Sequence, residues 1–279
     1  FSINVATVNG SGSQTANLAV MRALFRMGIP VSGKNLFPSN IQGLPTWFWI
    51  RVSGDGYLAR TEQKEILIAM NRQTLEQDFH ELPEGGVCFY PDHLKLPEDR
   101  PDIIRYPMPV RKIVKDVDPP RELRDYVANM VYVGSLAFIL GIELEEVRES
   151  LVSHFAGKEK PVELNMETIT RAFEWSRDNL KKSDPYAVER ESRTDGMILI
   201  DGNTAAALGS VYGGVGFSAW YPITPASSLA ENLQEFLQQL RTDPETGEAR
   251  YAIIQAEDEL SAVGMTIGAG WAGARSMTS

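Results

Sequence analysis

The chain has a single cysteine, Cys88, among its 279 residues. That excludes an internal disulfide and leaves no CxxC framework for a zinc site or an iron–sulfur cluster. Histidine is almost as scarce: His80, His93 and His154 are scattered without ligand spacing and read as surface or loop residues. No apolar run reaches the roughly 18 residues that a membrane-spanning helix needs. No basic and apolar leader with a small-residue cleavage site opens the chain. Basic residues are outnumbered, with 27 Lys and Arg against 37 Asp and Glu and a net charge of −10. This balance argues against a nucleic-acid partner, because phosphate binding needs basic patches. A protein of a reducing cytoplasm is the expectation.

What is present is an ordinary globular composition, 43% hydrophobic and 23% charged. The length suits two α/β domains, each burying its own core. Residues 1–180 form the first, 181–195 a charged aperiodic linker, and 196–279 the second. Residues 2–8 alternate and are β-branched, so they open as a strand. A turn with Gly10 and Gly12 follows, then a helix over 15–27. This is the start of a nucleotide-binding unit, but the third glycine of the dinucleotide fingerprint is missing, with Thr15 or Ala16 in its place. Close helix–strand packing is therefore the expectation. Residues 33–45 read as a long shaped loop. Strands are expected at 46–52, 65–71 and 86–90, with a helix at 73–81 between the last two and Cys88 in the core. Pro107 and Pro109 interrupt 103–114, which reads as short strands at a sheet edge. Helices are expected at 121–140, 143–155 and 162–180. The second domain is read as a strand at 197–201, then a small-residue helix over 202–214.

The most informative stretch is 220–228, Trp-Tyr-Pro-Ile-Thr-Pro-Ala-Ser-Ser. Two prolines bracket Thr224 and stiffen the backbone. Thr224 is the expected N-cap of a helix reaching residue 240, with Pro225 in its first turn. Such a corner suits a carboxylate. Residues 251–255 are a short apolar strand that runs into Ala256-Glu257-Asp258-Glu259 and a small-residue helix over 261–270. Acidic residues thus sit where a strand ends, the place where open α/β sheets bind ligands. A bland alternative is that these acids only complement the helix start.

Tyr221-Pro-Ile-Thr-Pro225 together with Gln255-Ala-Glu257-Asp-Glu259 resembles the thiamine-pyrimidine-binding domain of the 2-oxoacid:ferredoxin oxidoreductases. The resemblance extends over the whole chain, to the α subunit of the 2-oxoglutarate type, in which a γ-type α/β domain is fused ahead of the pyrimidine domain. The Gly10–Gly12 turn and the 33–45 loop match the γ-type domain. In this family a Thr-Ser-Gly-Pro-Gly type turn follows the last residues here, so the pyrimidine domain is expected to be truncated and a substrate-selecting arginine to lie beyond Ser279. Thiamine enzymes also begin a metal site with Gly-Asp-Gly, followed by an Asn. Here Gly54-Asp55-Gly56 reads as a hairpin turn, and Asn71 comes too early. Asp55 is rejected as a ligand.

The resemblance implies oxidative decarboxylation of a 2-oxoacid, 2-oxoglutarate foremost, to an acyl-CoA with reversible reduction of ferredoxin. The cofactor is thiamine diphosphate. Its Mg2+ and a [4Fe-4S] cluster are implied to be held by a β subunit, in an (αβ)2 assembly active only with that partner. Coenzyme A takes the acyl group. Glu257 is implied to be the catalytic carboxyl on the pyrimidine, with Asp258 and Glu259 as alternatives, and a partly buried carboxyl with a raised pKa suits that role. Tyr221 and Pro222 are implied to line the cofactor, and Ile223, Thr224 and Ser227 the substrate. A non-catalytic α/β scaffold subunit of an oxidoreductase complex is the competing reading.

Overall fold

The computed structural model describes residues 1–38 and 41–279. Ser39 and Asn40, in the expected 33–45 loop, lie outside the described residues. The chain divides into two compact units, Phe1–Met197 and Ile198–Ser279.

The first unit is built on six strands: β1 (Ser2–Val8), β2 (Val31–Leu36), β3 (Pro45–Val52), β4 (Ile66–Ala69), β5 (Val87–Pro91) and β6 (Ile104–Met108). Their order is β2-β3-β1-β4-β5-β6. β1, β4, β5 and β6 are parallel neighbours, while β3 runs antiparallel to both β1 and β2. β1 is central and buried over Ser2–Thr7, which is why it carries almost no charge. β3 alternates: Phe48, Ile50 and Val52 enter the main core, while Trp47 packs on the opposite side. Burying each of those three apolar side chains stabilises the unit by about 1.5–3 kcal/mol.

The main core is covered by α1 (Ser13–Arg26), α4 (Arg124–Leu140), α5 (Leu144–His154) and α6 (Glu159–Asn179), with α3 (Val110–Val117) at its rim. α2 (Leu75–His80) covers the other face through Leu75 and Phe79. α4 is buried almost all round, so its sequence shows no amphipathic stripe. It approaches α6 so closely that a Cβ on Gly134 would lie 2.2 Å from the Ile169 carbonyl oxygen.

Several local expectations are corrected. Residues 33–36 belong to β2, because they pair with β3 rather than loop out. Residues 53–56 do turn, with Gly56 N–H donating to the Ser53 carbonyl, but no strand returns after them, so there is no hairpin. Residues 103–114 hold one edge strand, β6, and then helix α3, which Pro109 caps. The charged segment 181–195 lies along the first unit. Val188 N–H donates to the Leu140 carbonyl, Glu191 N–H to Met27 and Arg193 N–H to Gly28. Arg190 pairs with Glu143 and Glu146, and buried Asp184 accepts from the Tyr106 hydroxyl at 2.7 Å. Arg190 and Asp184 thus tie the segment to the first unit.

The second unit is a three-stranded parallel sheet, β8-β7-β9, of β7 (Phe217–Trp220), β8 (Ala252–Gln255) and β9 (Ser276–Thr278). α7 (Gly202–Tyr212) and α8 (Ser227–Leu240) pack together through Ala207, Val211, Leu233 and Leu237. α9 (Glu259–Trp271) meets the sheet through Ala262, against Ala219 and Ala256. Residues 197–201 are not the expected first strand. Met197 and Ile198 are exposed and unpaired with the sheet, and Asp201 instead caps α7.

Candidate functional site

The register of the second sheet decides what meets at its carboxyl edge. Trp220 is opposite Gln255, and Ala219 is opposite Thr278. Ala256 N–H then donates to the Trp220 carbonyl at 2.8 Å. Tyr221, Glu257 and Ser279 therefore leave three adjacent parallel strands at the same edge. This is the edge where α/β sheets bind ligands.

The corner after β7 is tighter than a capped helix start. Ile223 accepts from the N–H groups of Ala226 (2.8 Å) and Ser227 (3.2 Å), around a cis Thr224–Pro225 peptide. Helix α8 begins at Ser227, with Ala226 at its N-cap and no side-chain cap. Thr224 is thus not the expected N-cap: the turn closes on the Ile223 carbonyl and starts the helix beyond Pro225. Its hydroxyl has no partner among the described residues and is exposed, as are Pro222 and Ile223, while Tyr221 and Ser227 are half-buried.

The corner is held from α7, through residues that periodicity did not single out. Asn203 Nδ2 donates to the Pro225 carbonyl (2.7 Å) and to Ser228 Oγ (2.8 Å). Asn232 Nδ2 donates to Thr204 Oγ1 at 3.1 Å and to the Ser228 carbonyl at 2.6 Å. Thr204 in turn donates to Asp201, by N–H at 2.9 Å and by hydroxyl at 2.6 Å. Partial burial works to raise the Asp201 pKa, but these hydrogen bonds outweigh it and hold the carboxyl below its usual range. Asp201-Gly-Asn-Thr204 is a recognisable capping sequence, so the signal was there to be found.

The three acids after β8 separate by role. Asp258 is the N-cap of α9, its Oδ1 accepting from Ser261 N–H at 2.7 Å, and that bond holds its carboxyl below the usual range. Glu259 lies in the first turn of α9, where a negative charge meets the helix dipole. Glu257 does neither. It follows buried Ala256 and is exposed, with no hydrogen bond or ion pair among the described residues. The carboxyl expected from the sequence to be partly buried is exposed among the described residues.

In the first unit, the turn after β1 places Gly10 at φ 83° and Gly12 at φ 77°. A Cβ on Gly12 would fall 2.1 Å from the Tyr126 ring, so this glycine serves close packing. A cavity of 260 Å³ adjoins the turn, lined by Thr7, Ser13, Asn35 and Trp47 among others. The Cys88 thiol is fully buried and its pKa is driven well up by that burial. Among the described residues no cluster of three or more His, Cys, Asp or Glu could hold a metal ion, and no helix is long and apolar enough to cross a membrane.

Comparison with known proteins gives a consistent picture. Residues 2–175 match the family described as pyruvate ferredoxin/flavodoxin oxidoreductase. Residues 208–279 match its thiamine diphosphate-binding domain. A 2-oxoacid:ferredoxin oxidoreductase α subunit of Aeropyrum pernix is 24% identical across 99% of this chain and 50% of its own length. The solved 2-oxoglutarate:ferredoxin oxidoreductase of Magnetococcus marinus, with 2-oxoglutarate, coenzyme A and succinyl-CoA bound, is 26% identical. It superposes with a TM-score of 0.84 over 100% of this chain and 47% of that one. A keto/oxoacid ferredoxin oxidoreductase γ subunit from Geobacter sulfurreducens, 21% identical, shares the fold over 64% of this chain and 99% of its own, with a TM-score of 0.52. The chain spans about half the length of the curated relatives it matches.

Proposed function

Since the chain belongs to the pyruvate ferredoxin/flavodoxin oxidoreductase family, we propose that it is the γ-plus-pyrimidine part of a 2-oxoacid:ferredoxin oxidoreductase α subunit. The 2-oxoacid is 2-oxoglutarate, the product an acyl-CoA, and the electrons pass to ferredoxin. One observation carries the reading. At the carboxyl edge of the second sheet, Asp258 is spent on capping α9, while Glu257 stands free beside the exit of β7.

These residues fit one half of thiamine diphosphate. A free carboxylate and an exposed apolar wall of Pro222 and Ile223, with half-buried Tyr221, suit an aminopyrimidine ring. When bound, the cofactor supplies the nucleophilic carbon that attacks the keto group of the substrate. With the cofactor in place, Glu257 would hold a proton at its carboxyl against the pyrimidine ring. Tyr221 and Pro222 orient the ring. The Thr224 hydroxyl donates to the substrate carboxylate, with Ile223 and Ser227 beside it. The stiff corner, pinned by Asn203, keeps that hydroxyl in place without cost at each turnover.

In this reading a β subunit carries the diphosphate and Mg2+ site and the [4Fe-4S] cluster, which takes about four thiolates; the described residues offer one thiol, the buried Cys88. The deciding experiment is to purify the full-length subunit with its β partner and to assay ferredoxin reduction across several 2-oxoacids with coenzyme A. Turnover that is highest with 2-oxoglutarate and is abolished by Glu257→Gln, with the complex intact, supports the reading. A Glu257→Gln complex as active as the native one returns this chain to the role of a scaffold.

A further inference from the structure

Trp49 and Arg51 alternate with Phe48, Ile50 and Val52 along β3, so they project from the face of the first sheet opposite the main core. Residues 57–64 fold over them. Ser32 Oγ donates to the Leu58 carbonyl, Ser2 Oγ lies 2.7 Å from Thr61 Oγ1, and Arg51 Nη1 reaches Ser2 Oγ at 3.4 Å. Under this overhang is a cavity of 460 Å³, within the range of small-ligand sites.

Its lining contains Lys34, Arg51, Arg60 and Lys64. Among the described residues, none of the four has a carboxylate within 4.0 Å. In a chain with net charge −10, a cluster of unpaired cations goes against the average. The nearby Glu65 is engaged, accepting from Ser2 N–H at 2.6 Å. The cations are also positioned. Lys64 Nζ lies 3.7 Å from the centroid of the Trp49 ring and the Arg60 guanidinium 5.3 Å from it, where the ring quadrupole attracts them. Lys64 has a lowered pKa, from burial first; the charges of Glu81, Glu62 and Asp78 pull it up, and that of Arg60 pushes it down. Two donors in the same lining, Trp49 Nε1 and Arg51 Nε, are buried with no acceptor. Buried donors without acceptors cost free energy, and clustered like charges repel. A bound anion offsets that repulsion.

We infer that this cavity is a binding site for a small phosphate-bearing anion. Lys34, Arg60 and Lys64 take the phosphate oxygens, above a floor formed by Trp49 and Arg51. Guanidinium and ammonium groups together suit a phosphate or diphosphate. The site lies in the first unit and rests on none of the residues assigned to thiamine or the 2-oxoacid.

The test is calorimetric titration of the full-length protein, in its complex, with inorganic pyrophosphate at low salt. The native protein should bind, and added salt should weaken the binding. Arg60→Ala with Lys64→Ala should weaken it by at least about tenfold, and Lys34→Ala by a smaller factor. Lys34 is exposed and stacks on no ring, so its variant keeps the fold; an unchanged melting temperature checks the double variant. Pyrophosphate that binds the double variant and the native protein equally well lies elsewhere, and that result overturns the site. So does a native complex that takes up no pyrophosphate, which would assign the cations to an acidic surface of the partner.

Discussion

The Ala256 N–H donates to the Trp220 carbonyl at 2.8 Å, and this single bond aligns the ends of β7 and β8. Beyond it, one chain segment turns to Tyr221 and Thr224, and the other to Glu257. The bond lies one residue past the last ladder pair, Trp220 with Gln255. A one-residue slip would turn every side chain of the strand to the other face, so register here is also site geometry.

Glu257→Gln should leave folding and assembly intact, because the side chain is exposed and has no hydrogen bond or ion pair among the described residues. Turnover in the assembled complex should fall by about 10²–10⁴, the usual contribution of a positioned acid–base group. Steady-state ferredoxin reduction by the purified complex measures it.

Thr224→Ala should raise the KM for the 2-oxoacid more than it weakens thiamine binding. The loss of one charge-assisted hydrogen bond is about 1.5–3 kcal/mol, or roughly 10- to 150-fold. Parallel titrations with substrate and cofactor separate the two; equal losses would take Thr224 out of the substrate site.

Asp201→Ala should remove the cap of α7 and loosen the corner that Asn203 holds. A cost of about 0.5–2 kcal/mol is expected. The folded Asp201 carboxyl is held below its usual range. The stability it contributes is therefore present above the unfolded pKa of about 3.9 and lost as pH falls through the lower folded value. Urea unfolding of native and variant chains should differ at pH 6 and converge in strong acid; a difference that persists there would rule out the carboxylate as its source.

Gly134→Ala should destabilise the first unit by about 1–3 kcal/mol or more, through overpacking. The new Cβ would meet the Ile169 carbonyl at 2.2 Å and the Ala172 Cβ at 2.7 Å, neither of which is a flexible side-chain end. A lowered melting temperature, with the second unit's helices unaffected in hydrogen exchange, is the expected signature.

Cys88 should resist thiol reagents until the first unit unfolds. It is buried and its pKa is raised by that burial, so little thiolate exists to react. Labelling kinetics that track unfolding by urea would show this; fast labelling of the folded protein would contradict it.

The division of labour between sequence and fold follows from the range of the forces involved. Gly10 and Gly12 announced their turn, the β-branched run 2–8 its strand, and the Pro222–Pro225 pair its stiff corner, because each is set by local sterics. The YPITP block and the acids after residue 255 could be placed at strand ends for the same reason. Longer-range questions could not be answered so. The 33–36 residues became a strand only because β3 offered an edge with matching hydrogen bonds. Pro109 opened helix α3 because β6 ended at Met108. The segment 181–195, read as a linker, gave no sign that Arg190 would pair with Glu143 and Glu146, more than forty residues away. The cap that occupies Asp258 is local, an Asp bonded to Ser261 N–H three residues on, but only the tertiary structure brought Glu257 beside Tyr221, because the pairing of β7 with β8 joins residues more than thirty positions apart.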